Sequence, residues 1–558
     1  MAEQTRTNNA AARTDLPVPR HHRLAVRSTP AFVGLLLGLL ALGPGAGPGY
    51  LLSYDMVFVP QPQFNSAVLG TAGELPRAVP SDAVMAALAR VLPSDAVQKL
   101  VLLAIFVLAC AGAARLLSRE RLPAQLAAGV FYAWNPFVAE RLILGQWALL
   151  LGYAGLPWAL AAAAGPAASV RRLGPRLVVA LLPAAIGGFA AMSISALVAW
   201  PAATLRQGTA RSRLVASVTA LSVLAVLSLP WLIPSLSRPV QSSPVAVEAF
   251  AARADTPFGT VGSLIMLGGS WNAQTVPAGY GGPVSVLWLC LSVTALAGFL
   301  LLGRAPWSRW LWSRWQGLAV AAAAGLLIAV LGAVGFGQDL LRSLIAFWPG
   351  FAVLRDGQQF VAPLALAEAA GLGLVTARLL RLRRPRAVAE TRAMVAAALV
   401  VAAVLFLPGL AWGAAGRLRP VQYPAVWLAA RALINADPHP GPALLLPWGA
   451  YRRFDWNDDE AVLDPWPRLL ARPVVWNDGV EVGSLRIPPE NPAAIAISSA
   501  VRSGGPLTPA LEARGYRYVI VDAGFPGGVT GGRPFGSRLP GCRIVFSGPG
   551  LVVYRVPA

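Results

Sequence analysis

Three side chains carry most of the chemical potential of this sequence: the carboxylate of Asp55 and the guanidinium groups of Arg141 and Arg355. Each stands at the edge of an apolar run in a chain of which only 13% is charged. Ionisable groups in such places mark sites of function, because leaving them there is costly. Asp55 follows Gly49, Tyr50 and Tyr54 just past the first apolar run, and a carboxylate so placed can serve as a general base toward a hydroxyl. The other reading is a solvated or capping carboxylate, as Asp82 after Ser81 is expected to be at a helix start. Glu74 is the next acid in the same loop and a second candidate.

Arg141 belongs to a segment from Tyr132 to Trp147 in which Asn135-Pro136 should break a helix and turn the chain back. Non-helical backbone at that depth is tolerated where it packs in protein or lines a cavity. The forked donors of Arg141 suit a phosphate, with Asn135 beside it. A plain hairpin with Glu140 and Arg141 in solvent is the alternative. Arg355 and Asp356, before Phe360, either bind a charged head group or pair with each other. Trp271, next to Asn272, could stack on a sugar, although most of the 18 tryptophans in so apolar a chain should be interfacial. The five acids Asp455, Asp458, Asp459, Glu460 and Asp464 could hold a hard cation. Their spacing lacks the Gly-centred calcium loop, so a solvated acidic turn is expected.

These residues need a scaffold, and composition names it. The chain has 558 residues, 56% of them apolar, with a mean hydropathy of +0.59. Soluble domains carry about 25% charged residues. A soluble enzyme, a disordered chain and a fibrous repeat are thereby disfavoured. Apolar windows near 31–50, 98–117, 145–165, 214–233, 283–302, 317–335, 358–377 and 393–411 approach the ~20 residues that cross a bilayer. With 122–138 and a divided 177–206 they suggest about 11 helices. The fold class expected is mainly α, a polytopic transmembrane bundle.

Charge then sets direction. With the N-terminus inside, the inner segments hold 23 arginines, against eight basic residues in the outer segments before residue 412. That asymmetry follows the positive-inside rule. The net charge of +21 thus reads as orientation rather than as a nucleic-acid surface, and no nucleic-acid partner is expected. The expected organisation is a disordered basic tail at 1–30, taken as leading into an uncleaved first helix. A helical domain at 31–411 follows, with outer loops at 50–97, 234–282 and 336–357. Residues 412–558 should form a small extracytoplasmic α/β or α+β domain, with strands at Ala443–Leu446, Tyr516–Asp522, Arg543–Phe546 and Leu551–Arg555.

The sequence lacks a phosphate-binding Gly-Lys-Ser/Thr loop, a His-Glu-x-x-His zinc motif and a Gly-x-Ser-x-Gly elbow. Its three histidines, His21, His22 and His439, are badly placed for a catalytic dyad. Cys110, Cys290 and Cys542 form no disulfide framework.

Three features together resemble the multi-pass envelope glycosyltransferases of the GT-C type, closest to actinobacterial arabinofuranosyl- and mannosyltransferase-like proteins. They are an acid, Asp55, shortly after the first helix in a large loop; the Asn135-Pro136 element ending in Gly145-Gln146-Trp147; and Arg355 to Phe360 before a late helix. Such proteins often carry paired acids in the first loop, where Asp55 stands alone. The resemblance implies a polyprenyl-phosphate-linked sugar donor, an envelope glycan or lipid acceptor, the lipid bilayer as surroundings and a cell-membrane location. It also implies Asp55 as base, a phosphate held by Arg141 or Arg355, no certain cofactor and a possible divalent cation. A non-catalytic envelope protein with a glycan- or partner-binding outer domain is the alternative. A transporter is less favoured, since Glu368 is the main charge at mid-span.

Overall fold

The computed structural model describes residues 20–72, 76–165, 172–236, 243, 245–304, 309–381, 386–483, 485–522 and 535–557. The apolar windows expected from the sequence are mostly helical. Among the described residues, six helices are long and apolar enough to cross a membrane: Ser28–Ala46, Ser94–Leu116, Ala210–Leu236, Val284–Leu302, Trp315–Ala333 and Gly357–Arg381. Glu390–Phe406 and Pro408–Gly416, bent by 56°, make a seventh if they form one span. The remaining windows are shorter pieces. Asn135-Pro136 separates Leu122–Ala133 from Pro136–Ile143, and Gly188, at φ +78°, separates Leu173–Gly187 from Phe189–Thr204. Helix Trp147–Ala163 has 17 residues. The expected 11 spans therefore become six or seven full-length helices plus shorter ones, because Pro and Gly interrupt the apolar runs.

Gly357–Arg381 is the central pillar. Its apolar window is 94% buried, against 22% for the peripheral Ala210–Leu236, whose exposed Leu and Val side chains suit lipid. Close approach around the pillar depends on small residues, as is usual between membrane helices. A Cβ on Gly371 would collide with the Ala295 carbonyl of the neighbouring helix. Glu368, on the same pillar, is fully buried with Ser292 beside it.

The large loops and the C-terminal region gather at one end of the bundle. Tyr50–Leu51 pairs antiparallel with Pro420–Val421, and Tyr54 bridges to Val462, so the first loop is stitched to the chain's last third. At the opposite end Arg381 grips both carboxylate oxygens of Glu120, at 2.7 and 2.6 Å.

The C-terminal region is built on a five-stranded sheet: β1 (Ala443–Leu446), β2 (Val474–Val475), β3 (Tyr518–Asp522), β4 (Arg543–Gly548) and β5 (Leu551–Arg555), in the order β4-β5-β3-β1-β2. The β3-β1-β2 pairs are parallel and the β4-β5-β3 pairs antiparallel. Strand alternation sends successive side chains to opposite faces. Leu444, Leu446, Val519 and Val521 pack with Ile497, Val501 and Leu511 of helices Pro492–Arg502 and Thr508–Glu512. Leu445, Ile520 and Val553 face the other way, into the core that includes Trp427, Ala430 and Ile434 of helix Ala425–Ala436. Both faces of the sheet are covered, which explains why β1 and β3 are apolar at nearly every position.

Candidate active site

The site lies where the first loop, the broken hairpin, the segment before the pillar and the C-terminal region meet. Asp55 sits on a tight turn in which Ser53 and Met56 exchange backbone hydrogen bonds. Its backbone N–H donates to the Leu144 carbonyl at 3.1 Å. Gly145 makes that contact feasible: it adopts φ +81°, and a Cβ there would collide with Met56 N and the Ser53 carbonyl. Only glycine meets both demands. Gln146, the next residue, donates to Asp55 Oδ2 at 3.4 Å, while the Tyr451 hydroxyl donates to Oδ1 at 2.6 Å.

Asp55 keeps some accessible surface although protein surrounds it. Burial pushes its carboxyl above the ordinary carboxylate range. The hydrogen bonds from Tyr451 and Gln146 and the positive charges of Arg77 and Arg468 oppose that rise.

Arg141 is buried and already engaged. Its guanidinium forks onto Asp356, with Nη1 to Oδ2 at 2.7 Å and Nη2 to Oδ1 at 3.0 Å, and also donates to Gln146 and Gln358. Gln358 in turn donates to Glu140 at 3.2 Å and to the Gly268 carbonyl at 3.2 Å. Two of the alternative readings are thereby set aside. Glu140 and Arg141 are buried rather than solvated, and Asp356 pairs with Arg141 rather than with its neighbour Arg355. The reason is a contact 215 residues apart in the chain: the hairpin lays Arg141 against the turn that precedes the pillar.

Asn135 holds the break itself. Its side-chain oxygen accepts from Val138 N, capping Pro136–Ile143, and its amide donates to the Phe131 and Tyr132 carbonyls and to the Tyr153 hydroxyl. With every bond committed inside the protein, it positions the hairpin.

Arg355 approaches from the other side. Its guanidinium lies 5.0 Å from the Phe250 ring centre and donates to Glu490 at 3.4 Å. Phe250 meets Trp271 edge-to-face at 4.8 Å, and Trp271 clusters with Tyr54 and Tyr451. Trp271 is nearly buried, so its ring lines the wall instead of offering an open face, and its indole N–H has no acceptor among the described residues. Arg77, from the first loop, donates to the second oxygen of Glu490 at 2.5 Å.

The structure thus links Asp55 to Arg141 through Gln146, and Arg355 to Trp271 through Phe250, while Trp271 clusters with Tyr54 and Tyr451 beside Asp55. Glu74 lies outside the described residues. Tyr451, Glu490 and Gln358 escaped the sequence reading, since they carry no local motif. Gln146 stood inside the Gly145-Gln146-Trp147 element without being singled out, and Arg77 carries no local motif either. In the acidic run, Asp455, Asp458 and Asp459 are exposed, whereas Asp464 is buried on Arg452 at 3.0 Å and caps Trp466 N at 3.0 Å. Among the described residues no three His, Cys, Asp or Glu side chains converge to hold a metal ion.

The fold resembles that of mycobacterial arabinofuranosyltransferase AftD. The match to its cryo-EM structure has a TM-score of 0.55 at 17% identity, over 97% of this chain and 40% of AftD. Two structures of an AftD variant match with TM-scores of 0.57, at 18% and 17% identity, over 97% and 95% of this chain. The chain therefore spans about two-fifths of AftD's length. No protein-family model matches it, and no curated protein matches it in sequence. At such identity the likeness establishes the fold alone: an AftD-like helical bundle whose described residues include six or seven helices long and apolar enough to cross a membrane, with a small strand-containing C-terminal region.

Proposed function

We propose that the protein is a membrane glycosyltransferase of the GT-C type, moving a sugar from a polyprenyl-phosphate donor onto an envelope glycan or lipid acceptor. The observation that carries this reading is Asp55: a carboxylate held on two sides, enclosed yet reachable, with arginines close by, in a fold shared with an arabinofuranosyltransferase. In the reaction, Asp55 accepts the proton of the acceptor hydroxyl as that oxygen attacks the anomeric carbon. The bond from that carbon to the phosphate oxygen breaks, and polyprenyl phosphate leaves with inversion at carbon. Its negative charge is met by guanidinium groups. Tyr451 and Gln146 orient the carboxylate, so proton transfer needs no search for geometry. An activated lipid-linked donor needs no nucleotide site. The arginine asymmetry supports an inner N-terminus, with Asp55 and the C-terminal region on the outer face of the cell membrane.

A second reading draws on the same bond. Tyr451 to Asp55 also straps the C-terminal region to the first loop, as a non-catalytic envelope protein would need. Reconstitution into nanodiscs with radiolabelled polyprenyl-phosphate arabinofuranose, and separately with the mannose donor, decides between them. Replacing Asp55→Asn should cut transfer by about 10²–10⁴-fold, the usual contribution of a general base. Transfer at the parental rate would remove Asp55 from the chemistry and favour the strap.

A further inference from the structure

Glu490 stands in an unusual position. It belongs to the C-terminal region, between a short hairpin (Val480–Val482 with Leu485–Ile487) and helix Pro492–Arg502. Yet its carboxylate reaches out of that region to two arginines, one per oxygen: Arg77 at 2.5 Å and Arg355 at 3.4 Å. The two arginines come from the first loop and from the turn before the pillar, and Glu490 is an anion that both share. The charge of Arg77 is felt at Arg355, where burial first and then that neighbour draw the guanidinium below its usual range. Two cations so close need an anion between them. One guanidinium per oxygen is also how paired arginines receive the non-bridging oxygens of a phosphate.

We propose that Glu490 is a built-in occupant of a phosphate site formed by Arg77 and Arg355, displaced when a phosphate-bearing ligand arrives. The proposal rests on the transfer reading for the identity of that ligand, the phosphate of a polyprenyl carrier. The anion chemistry itself does not depend on it. Access favours exchange, because the Arg77 side chain is 52% exposed whereas that of Glu490 is 6% exposed. A ligand reaches Arg77 from solvent while Glu490 is still in place. Glu490 also has somewhere to be held after release: Asp478 Oδ2 accepts the backbone N–H of Glu490 at 3.2 Å and of Asn491 at 2.9 Å, independently of the carboxylate. Arrival of the donor would thus be signalled to the C-terminal region, whose Tyr451 holds Asp55. Arg141 is the less accessible guanidinium: only 2% of its side chain is exposed and Asp356 grips it bidentately.

The test is equilibrium binding to the full chain in nanodiscs, with a polyprenyl monophosphate in one arm and inorganic phosphate in the other. Removing a competing internal anion raises apparent affinity by the inverse of the open fraction. Glu490→Gln should therefore tighten binding by about fivefold or more, and Arg77→Ala should weaken it in the same assay. Response in both arms identifies a site that reads the anion. Response with the lipid phosphate alone adds a tail contribution at the same arginines. Unchanged or weaker binding by Glu490→Gln in both arms overturns the proposal. Hydrogen exchange on the parental protein provides a check that no variant can spoil. Backbone amides of Leu485, Arg486 and Ile487 in the adjoining hairpin should exchange faster when polyprenyl phosphate is bound, and slower or unchanged exchange refutes displacement. Binding is read without transfer, so this failure is distinct from failure of the Asp55→Asn assay.

Discussion

The ion pair of Arg141 with Asp356 allows a quantitative test of how the hairpin is held against the turn before the pillar. Only 2% of the Arg141 side chain and 18% of the Asp356 side chain is accessible, and the pair is bidentate. Removing one partner of a buried pair costs about 3–5 kcal/mol, because the remaining charge is left without compensation. Arg141 retains Gln146 and Gln358, and water can reach the Asp356 position, so Asp356→Ala should fall at the lower end, about 3 kcal/mol. That is about a hundredfold in the folded-to-unfolded ratio. Arg141→Met with Asp356→Ala removes both charges, and buried pairs replaced by apolar residues are often neutral or stabilising. The double variant should therefore recover at least half of the loss. Unfolding free energies measured in mixed micelles for the two single variants and the double variant supply the cycle. A loss below about 1 kcal/mol for Asp356→Ala would show that the pair is effectively solvated. A double variant less stable than either single one would refute the claim that uncompensated burial is the cause.

Other expectations concern Asp55 and the packing around it. The Tyr451 hydrogen bond favours the Asp55 carboxylate, so Tyr451→Phe should raise the carboxyl's pKa further. Because the base works deprotonated, the acidic limb of the transfer profile should move to higher pH, and an unmoved limb would argue against the pairing. The stability effect has the opposite sense. A carboxyl raised by burial contributes stability below its unfolded pKa and loses it as pH rises through the folded value. Asp55→Asn, which stays neutral, should therefore melt at or above the parental temperature at neutral pH, with its advantage vanishing in acid. Gly145→Ala should leave the bundle folded but displace the first loop, lowering transfer by about 100-fold, as ångström-scale misplacement does. Gly371→Leu should force the pillar from helix Val284–Ala297 and cost about 1–3 kcal/mol, read as a lower melting temperature.

Much of the architecture follows from one-dimensional signals. An apolar run declares its need for lipid or for a buried face wherever it lies, so the expected windows became mostly helix, broken where Pro or Gly interrupts them. Alternating and continuous apolar runs likewise located β1, β3, β4 and β5 within a few residues. Asp55, Arg141 and Arg355 stood out because a charge at the edge of an apolar run has few cheap explanations. Their company was not legible. Nothing in the residues near Asp55 indicates that a tyrosine 396 positions away donates to it. Nor does Arg355-Asp356 reveal that the acid turns to Arg141 and the base to Glu490. Local sequence sets periodicity, breaks and the cost of burying a charge, which are properties of a residue and its near neighbours. Which opposite charge compensates that cost depends on which loops close on one another. Only the folded chain, with four segments meeting at one end of the bundle, decides that.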